Sequence, residues 1–318
     1  MSLPKIATNI IYTRIFFFLR SHFLRPKAET VLLEISSSIK SRTIVYGFAI
    51  SSLGTYLLAN VAYMPDFSIL SRLLVSVYMI ALATYLYNDL TDFQIDRVNQ
   101  RTTVYSEEKL QYYTTFFSVA GFFITSIILA FSVNFLTGLG SLAFCGLGIA
   151  YSHPKIHLKD RFVIKTIVTG IGGFIASLMG SFAAENFSLL VIASSVIVFL
   201  FYFVNGPLND IRDIRGDQKG GRSTIPIVLG IDKSFAIIII TIISIAIVVV
   251  LSYLFLEVHL VGMIIGIAIC GYVIKSIVQL SKNYNDKSKM NSVRTLVRNS
   301  ILFVQLSLWV GILVNNIL

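Results

Sequence analysis

Charged residues are scarce in this 318-residue chain, at 13% of the total, whereas hydrophobic residues make up 55%. The mean hydropathy is +0.79. A typical soluble domain carries about 25% charged residues, so the composition excludes a soluble fold. It indicates an all-α integral membrane protein that crosses the bilayer several times.

Cysteine is almost absent, with only Cys145 and Cys270 in the whole chain. Both lie in long apolar runs, which argues against a disulfide framework or a thiolate metal site. The net charge of +10 has no soluble basic domain to present it, and this argues against a nucleic-acid partner. A charge of this sign is suited to anionic lipid head groups or a phosphorylated substrate.

The sequence is dominated by apolar segments long enough to cross a bilayer. Because about 20 apolar residues in a helix span the hydrocarbon layer, the sequence predicts nine transmembrane helices. Their approximate bounds are 43–63, 67–87, 112–133, 135–151, 162–182, 188–207, 234–256, 258–280 and 300–318. We expect residues 43–318 to form a single domain, preceded by a segment, 1–42, whose residues 5–24 resemble an interfacial helix rather than a signal peptide.

The distribution of basic residues predicts how the chain is oriented. With these nine spans, 25 of the 26 lysines and arginines fall in the N-terminal segment and in every second loop, and only Arg72 lies on the other side. Lysine and arginine are retained in cytoplasmic loops. The N-terminus is therefore expected in the cytoplasm and the C-terminus outside.

One acidic signature, Asn-Asp-x-x-Asp-x-x-x-Asp, occurs twice, each time after a long apolar run and on the predicted cytoplasmic side. On a helix its aspartates lie at positions i, i+3 and i+7, which form one face. Such a row of like charges is unfavourable unless a cation occupies it. The alternative is a solvated loop of mixed charge, which a repeated motif with the same sidedness disfavours. The residues are Asn88, Asp89, Asp92 and Asp96, then Asn209, Asp210, Asp213 and Asp217.

Carboxylate and amide oxygens favour hard cations such as Mg²⁺, which often binds one or two carboxylates together with phosphate oxygens. Two facing rows would hold a magnesium diphosphate between them, and nearby cations would neutralise the remaining phosphate charge. These cations are Lys155, Lys159 and Arg161 in one loop, and Arg212, Arg215, Lys219 and Arg222 around the second motif.

These motifs resemble those of a known family. Residues 88–99 are similar to the first aspartate-rich motif of the UbiA superfamily of intramembrane prenyltransferases, and residues 209–217, followed by Gly-Arg-Ser-Thr-Ile-Pro at 221–226, are similar to the second. Residues 151–159 resemble a shorter family loop that contains tyrosine and lysine. The resemblance covers almost the whole chain and implies nine helices around a central cavity, with the active site facing the cytoplasm.

The resemblance also implies an activity: transfer of a polyprenyl group, here geranylgeranyl, from its diphosphate to a lipophilic acceptor in the membrane, with two Mg²⁺ ions as cofactor. Asp92, Asp213 and Asp217 would be catalytic. The diphosphate would be held by Lys159, Arg222, Arg215 and Lys155. The metal ions would be bound by Asn88, Asp92, Asp96, Asp213 and Asp217, with Asp89 and Asp210 in support.

The second motif is most similar to archaeal-type members of the digeranylgeranylglyceryl phosphate synthase kind, which alkylate geranylgeranylglyceryl phosphate in ether-lipid synthesis. An aromatic quinone precursor is an alternative acceptor, and a terpene cyclase on the same scaffold is an alternative enzyme. A cation transporter is a third possibility, but its carboxylates would normally lie near the bilayer midplane. Acceptor, prenyl length, oligomeric state, tunnel-lining residues and the proton acceptor are left open by the sequence.

Overall fold

The structure is a computed structural model that describes residues 43–61, 63–98, 109–156 and 158–317, without the side chains of residues 43, 93–98 and 109–112. All regular elements in these ranges are helical. The helices pack as one compact unit. The expected N-terminal segment, 1–42, with its interfacial helix, lies outside the described residues, so it and the domain division remain predictions.

Ten α-helices and one short 3₁₀ helix make up the described chain. The 3₁₀ helix, Leu158–Asp160, lies between α4 and α5. The α-helices are α1 Thr43–Ala59, α2 Phe67–Val98, α3 Lys109–Val133, α4 Phe135–Ser152, α5 Ile164–Ala183, α6 Leu189–Lys219, α7 Ile225–Leu229, α8 Ile231–Phe255, α9 Leu260–Ser281 and α10 Lys287–Ile317.

Eight of these helices, α2 to α6 and α8 to α10, are long and apolar enough to cross a membrane. The first expected span, 43–63, is shorter than predicted because α1 ends at Ala59. Within the described ranges the chain is thus an integral membrane protein with eight candidate spans and one shorter apolar helix. The ninth span and the orientation of the termini stay predictions.

Helix boundaries follow local capping signals. The predicted boundary between the third and fourth spans, 112–133 and 135–151, is a helix break, because the Asn134 side chain accepts a hydrogen bond from Thr137 N at 2.8 Å and so caps α4. Ser188 caps α6 in the same way, accepting from Val191 N at 3.3 Å. Both are residue types that favour helix N-termini.

Three helices continue well beyond the predicted spans. The span predicted to end at residue 207 is one continuous helix to Lys219, with Pro207 inside it, and α2 continues in the same way to Val98. Proline is tolerated within membrane helices where neighbouring elements satisfy the freed backbone group. Both acidic motifs consequently lie on the ends of long helices, and α10 begins well before its predicted span at residue 300.

The helices close into a bundle because the last helix returns to the first. Neighbouring helices pack against each other, α1 also packs on α5, and α10 packs on both α1 and α6. At this shared interface Gln305 Nε2 donates to Thr55 Oγ1 at 2.9 Å and to Ser194 Oγ at 3.1 Å. Buried hydrogen bonds of this kind hold membrane helices together where a hydrophobic driving force is lacking.

The packing of α1 against α5 predicts a specific cost for enlarging Gly180. A methyl group there would collide with the backbone oxygen of Ser52 and lie 2.9 Å from Tyr56 N. Backbone atoms cannot move aside alone, so Gly180→Ala should lower the free energy of unfolding by about 2 kcal/mol, as overpacked cores do. The measurement is thermal unfolding of the purified protein in detergent.

Gly146 of α4 is the matched control, since nothing lies within 4 Å of a methyl group at that position. Gly146→Ala should be neutral, or should stabilise the protein by up to about 1 kcal/mol through helix propensity. Equal melting temperatures for the two variants would contradict this account of the α1–α5 contact.

Candidate active site

The polar ends of α2 and α6 meet at one end of the bundle, together with the 3₁₀ helix and the start of α5. Five motif aspartates there are only 1–6% exposed. Burying a carboxylate is costly unless it is paired or hydrogen-bonded. The site must therefore contain matching cations, and the five aspartates are Asp89, Asp92, Asp210, Asp213 and Asp217.

Lys159 is the first of these cations. Its Nζ lies 2.7 Å from Asp92 Oδ1 and 2.5 Å from Thr91 Oγ1, with Asn88 Oδ1 at 3.4 Å. The lysine is only 2% exposed. It thus fixes three residues of the first motif from the loop that follows α4.

Arg222 joins the two motifs. Its guanidinium pairs with Asp92 of the first motif and, at 3.4 Å, with Asp217 Oδ1 of the second. Its Nε lies 2.9 Å from Asp160 Oδ1 in the 3₁₀ helix. One buried side chain therefore contacts carboxylates from three separate segments, and the described parts of the two motifs converge.

A glycine turn brings Arg222 into this position. Gly221 has φ +67°, a left-handed conformation that glycine adopts readily. Arg222 N then donates to Asp217 O at 2.9 Å, and Gly220 N donates to Gly216 O at 2.8 Å. This resembles the usual glycine cap of a helix C-terminus, and it turns the chain back over the end of α6.

Lys165 is a further cation at the start of α5. Its Nζ lies 2.5 Å from Asp210 Oδ1 and 3.9 Å from Asp217 Oδ2. Val163, just before α5, has φ +57°, which is rare for a β-branched residue. This turn separates Lys159 from Lys165, so the two ammonium groups contact different motifs.

Two arginines contact the other residues of the second motif. Arg212 forms a two-point contact with its neighbour Asp213, at 2.8 and 2.6 Å. Arg294 of α10 donates from Nε to Asn209 Oδ1 at 2.7 Å. The first residue of the second motif therefore faces α10, away from Lys165.

Burial acts to lower the pKa of both central cations, but the net pKa shifts of Lys159 and Arg222 are opposite. Burial lowers the pKa of Lys159 below its ordinary value, because the attraction of Asp92 only partly offsets desolvation. Burial also acts to lower the pKa of Arg222, but the carboxylates of Asp92, Asp160 and Asp217 outweigh it and raise that pKa. Arg222 consequently stays cationic at any physiological pH.

Most predicted site residues that the structure describes are brought together, but not all. Lys155 and Arg215, expected to hold diphosphate, are exposed, and neither forms an ion pair with the motif aspartates in the described ranges. The side chain of Asp96 lies outside the described residues. All assigned roles remain predictions.

Sequence reasoning left Lys165, Asp160 and Arg294 out of the site. Lys165 is one of the 25 basic residues assigned to the cytoplasmic side, and this position was the available signal. Arg294 lies in a distant basic stretch, and the sequence carries no signal that pairs it with Asn209. These residues join the site only through tertiary contacts.

The residues present fit a hard divalent cation. In the portion of the chain that the structure covers, no three His, Cys, Asp or Glu side chains form a compact metal-ligand group. Asp217 Oδ2 is nevertheless buried without a hydrogen bond from any described residue, so it keeps an oxygen available for a cation. The carboxylate and amide donors belong to the set that suits Mg²⁺.

This fold and site define a helical membrane protein with a dense group of buried charges at one end of its bundle. The model of the UbiA prenyltransferase family matches residues 48–308, most of the chain. The protein belongs to the UbiA prenyltransferase family. The prediction of a prenyltransferase-type membrane enzyme is thereby confirmed at the level of the family.

Two similar proteins carry the same name. The digeranylgeranylglyceryl phosphate synthase of Methanosphaera stadtmanae is 27% identical over 153 residues, which are 48% of this chain and 55% of that protein. The synthase of Sulfurisphaera tokodaii is 24% identical over 196 residues, which are 61% of this chain and 69% of that one. The first alignment therefore spans little more than half of its relative.

A solved structure supports the fold. A UbiA homologue from Archaeoglobus fulgidus, bound to GPP and Mg²⁺, superposes with a TM-score of 0.64 at 14% identity, covering 86% of this chain and 99% of that one. At this identity the likeness establishes the arrangement of helices. The metal and ligand belong to that homologue.

The bridging position of Arg222 predicts a large loss of stability on its removal. Arg222→Gln should lower the free energy of unfolding by about 3 kcal/mol, because buried carboxylates lose their shared partner. A buried carboxylate that has lost its cationic partner binds a proton more readily than a paired one, so the deficit relative to the unmodified protein should be smaller at pH 5 than at pH 7.5. Thermal unfolding at both pH values measures this.

Arg215→Gln is the control, since Arg215 is an exposed arginine of the neighbouring helix end. It should change the free energy of unfolding by no more than about 0.5 kcal/mol. A deficit for Arg222→Gln that is absent, or that grows as the pH falls, would contradict the bridging role.

Proposed function

We propose that this protein transfers a geranylgeranyl group from its diphosphate to the hydroxyl group of geranylgeranylglyceryl phosphate, with Mg²⁺ as cofactor. The observation that carries the proposal is the convergence of both acidic motifs on Arg222. The family and the names of the aligned relatives support the same chemistry.

Three buried or partly buried cations would bind the diphosphate: Lys159, Arg222 and Lys165. Their present partners are carboxylates of the two motifs, so phosphate oxygens would replace carboxylate oxygens around groups that are already positioned. Charge-assisted hydrogen bonds to phosphate are about twice as strong as neutral ones. Low exposure strengthens them further.

The acidic residues would hold the metal ions, as the motifs predict. The proposed ligands are Asn88, Asp92 and Asp96 from the first motif and Asp213 and Asp217 from the second, with Asp89 and Asp210 in support. Bound Mg²⁺, in two sites, would neutralise the negative charge that develops on the departing diphosphate.

The reaction breaks the bond between the allylic carbon and the diphosphate oxygen. The acceptor hydroxyl oxygen forms a new bond to that carbon, and its proton passes to a carboxylate of the site or to the departing diphosphate. Lys159 and Arg222 stabilise the leaving group where its charge forms. Because the site is buried among helices, water has little access to the allylic cation.

The proposed membrane position rests on the distribution of basic residues in the sequence. We place the site at the cytoplasmic face, as the basic loops predict, with α1 as the ninth membrane helix. The prenyl chain would extend from the charged end into the apolar interior of the bundle. Both substrates can then reach the site from the bilayer.

Direct assay in lipid nanodiscs tests this function. The purified protein, given geranylgeranyl diphosphate, geranylgeranylglyceryl phosphate and Mg²⁺, should release diphosphate and form the ether-linked product. Asp92→Asn and Asp213→Asn should each lower kcat by at least about 100-fold, the scale seen when one charge-stabilising group is removed. EDTA should abolish turnover.

Asp232→Asn is the control variant, because Asp232 is an exposed aspartate at the start of α8, and its kcat should be unchanged. Product analysis by mass spectrometry separates the alternatives. A cyclic hydrocarbon formed without acceptor would establish a cyclase, and turnover only with an aromatic acceptor would establish the quinone-precursor reaction. Either result would contradict the proposal.

Two lysines of one loop should differ in their effects. Lys159 is buried against Asp92, whereas Lys155 is exposed four residues earlier. Lys159→Met should raise KM for geranylgeranyl diphosphate by about tenfold, the equivalent of one lost charge-assisted hydrogen bond. Lys155→Met should leave that KM within about twofold, and steady-state kinetics with the prenyl diphosphate varied measures both.

A similar rise in KM for both lysine variants would show that general attraction by the basic loop is responsible. That result would contradict the proposal that buried Lys159 binds the diphosphate and exposed Lys155 does not. Thermal unfolding of both variants checks that each remains folded.

A further inference from the structure

We propose that Arg294 and Arg298 of α10 bind the phosphate of the acceptor lipid, in a subsite separate from the one for the leaving diphosphate. This inference rests on the proposed function and identifies the part of the site that selects the acceptor. Its basis is the placement of the two arginines along the second motif.

The two arginines are one helical turn apart on α10, so they lie on the same face. Arg294 Nε donates to Asn209 Oδ1 at 2.7 Å. Arg298 lies one turn further into the bundle, where its Cγ would be 3.4 Å from a methyl group at Gly47. Both side chains are partly buried.

Tyr202 adds a hydrogen-bonding group to this place. Its Oη would be 2.8 Å from the same methyl position at Gly47, which puts the phenol beside the Arg298 stem. The tyrosine is 1% exposed. Its hydroxyl lies near Ser51 but makes no hydrogen bond of good geometry with the described residues. Buried phenol hydroxyls usually have a hydrogen-bond partner, so this hydroxyl is available to a ligand.

These groups lie along one face of α6. Tyr202, Asn209 and Asp213 are separated by seven and four residues, which places them on the same side of the helix. Lys165, in contrast, contacts Asp210 and Asp217. Cations therefore flank the second motif from two directions, from the α5 side and from α10.

The proposed reaction needs two anion-binding places, because both substrates carry phosphate. Lys159, Lys165 and Arg222 would provide the one for diphosphate. Arginine is well suited to the other, since its planar guanidinium binds phosphate at two points and is weakly hydrated compared with an ammonium group. An aromatic acceptor has no phosphate and no need for this pair.

The test separates binding of the two substrates. Steady-state kinetics in nanodiscs of neutral phosphatidylcholine are measured for Arg294→Gln, Arg298→Gln and the double variant. Each single variant should raise KM for geranylgeranylglyceryl phosphate by about tenfold, the effect of one lost charge-assisted contact, and leave KM for geranylgeranyl diphosphate within about twofold. Arg298→Lys should recover part of the loss.

Lys289→Gln is the control, because Lys289 is an exposed lysine of the same helix and should leave both constants unchanged. Geranylgeranylglycerol, which lacks phosphate, serves as a second acceptor. The unmodified protein should use it poorly, and the arginine variants should use it as well as the unmodified protein does.

Three results would overturn the inference. The first is a parallel rise in KM for both substrates in the arginine variants. The second is a normal KM for the phosphorylated acceptor in the double variant. The third is an effect that appears only in vesicles containing anionic lipid, which would assign the arginines to membrane lipid. A KM for geranylgeranyl diphosphate that stays normal shows that a variant is folded.

Failure of the proposed function gives a different outcome. In that case the unmodified protein would not alkylate geranylgeranylglyceryl phosphate at all. Transfer by the unmodified protein, with no acceptor effect in the arginine variants, would contradict the subsite alone.

Discussion

The pairing of buried charges is the constraint on which this structure depends. Five aspartates with almost no exposure lie near the C-terminal ends of α2 and α6. Such a group of like charges would separate the helices unless cations lay among them. Arg222, in contact with Asp92, Asp160 and Asp217, is the cation that makes their convergence possible, and it links three segments far apart in sequence.

The same constraint explains why the helices extend past their apolar runs. If α2 ended at residue 87 and α6 at residue 207, the motif side chains would lie on loops with many conformations. As continuous helices to Val98 and Lys219, they hold the carboxylates in fixed rows. The glycine turn at Gly221 then returns Arg222 to those rows. Binding groups held on rigid elements in this way lose little entropy when a ligand binds.

The sequence predicts the parts of the site that depend on local spacing. The aspartate rows follow from helical periodicity, and their shared sidedness follows from the basic loops. Lys165 and Arg294 were missed because their partners, Asp210 and Asn209, are distant in sequence, and no local pattern encodes such contacts. The sequence does not distinguish Lys155 from Lys159, because the conformation of the turn after α4 determines which of the two is buried. The prediction that this helix ends at residue 207 was wrong because proline, which usually stops a helix in a soluble protein, is tolerated inside a membrane helix.

The geometry of α6 also bears on how two substrates would meet. Its motif face carries contacts from Lys165 on one flank and from Arg294 on the other, and both flanks belong to one stiff helix. If each flank binds one phosphate-bearing substrate, the separation between the two anions is set by helix geometry and does not depend on loop closure. Fixing two reactants in this way contributes to catalysis by removing the entropy of bringing them together. Asn209, which carries no charge, gives the second motif a contact with α10 in addition to its carboxylates.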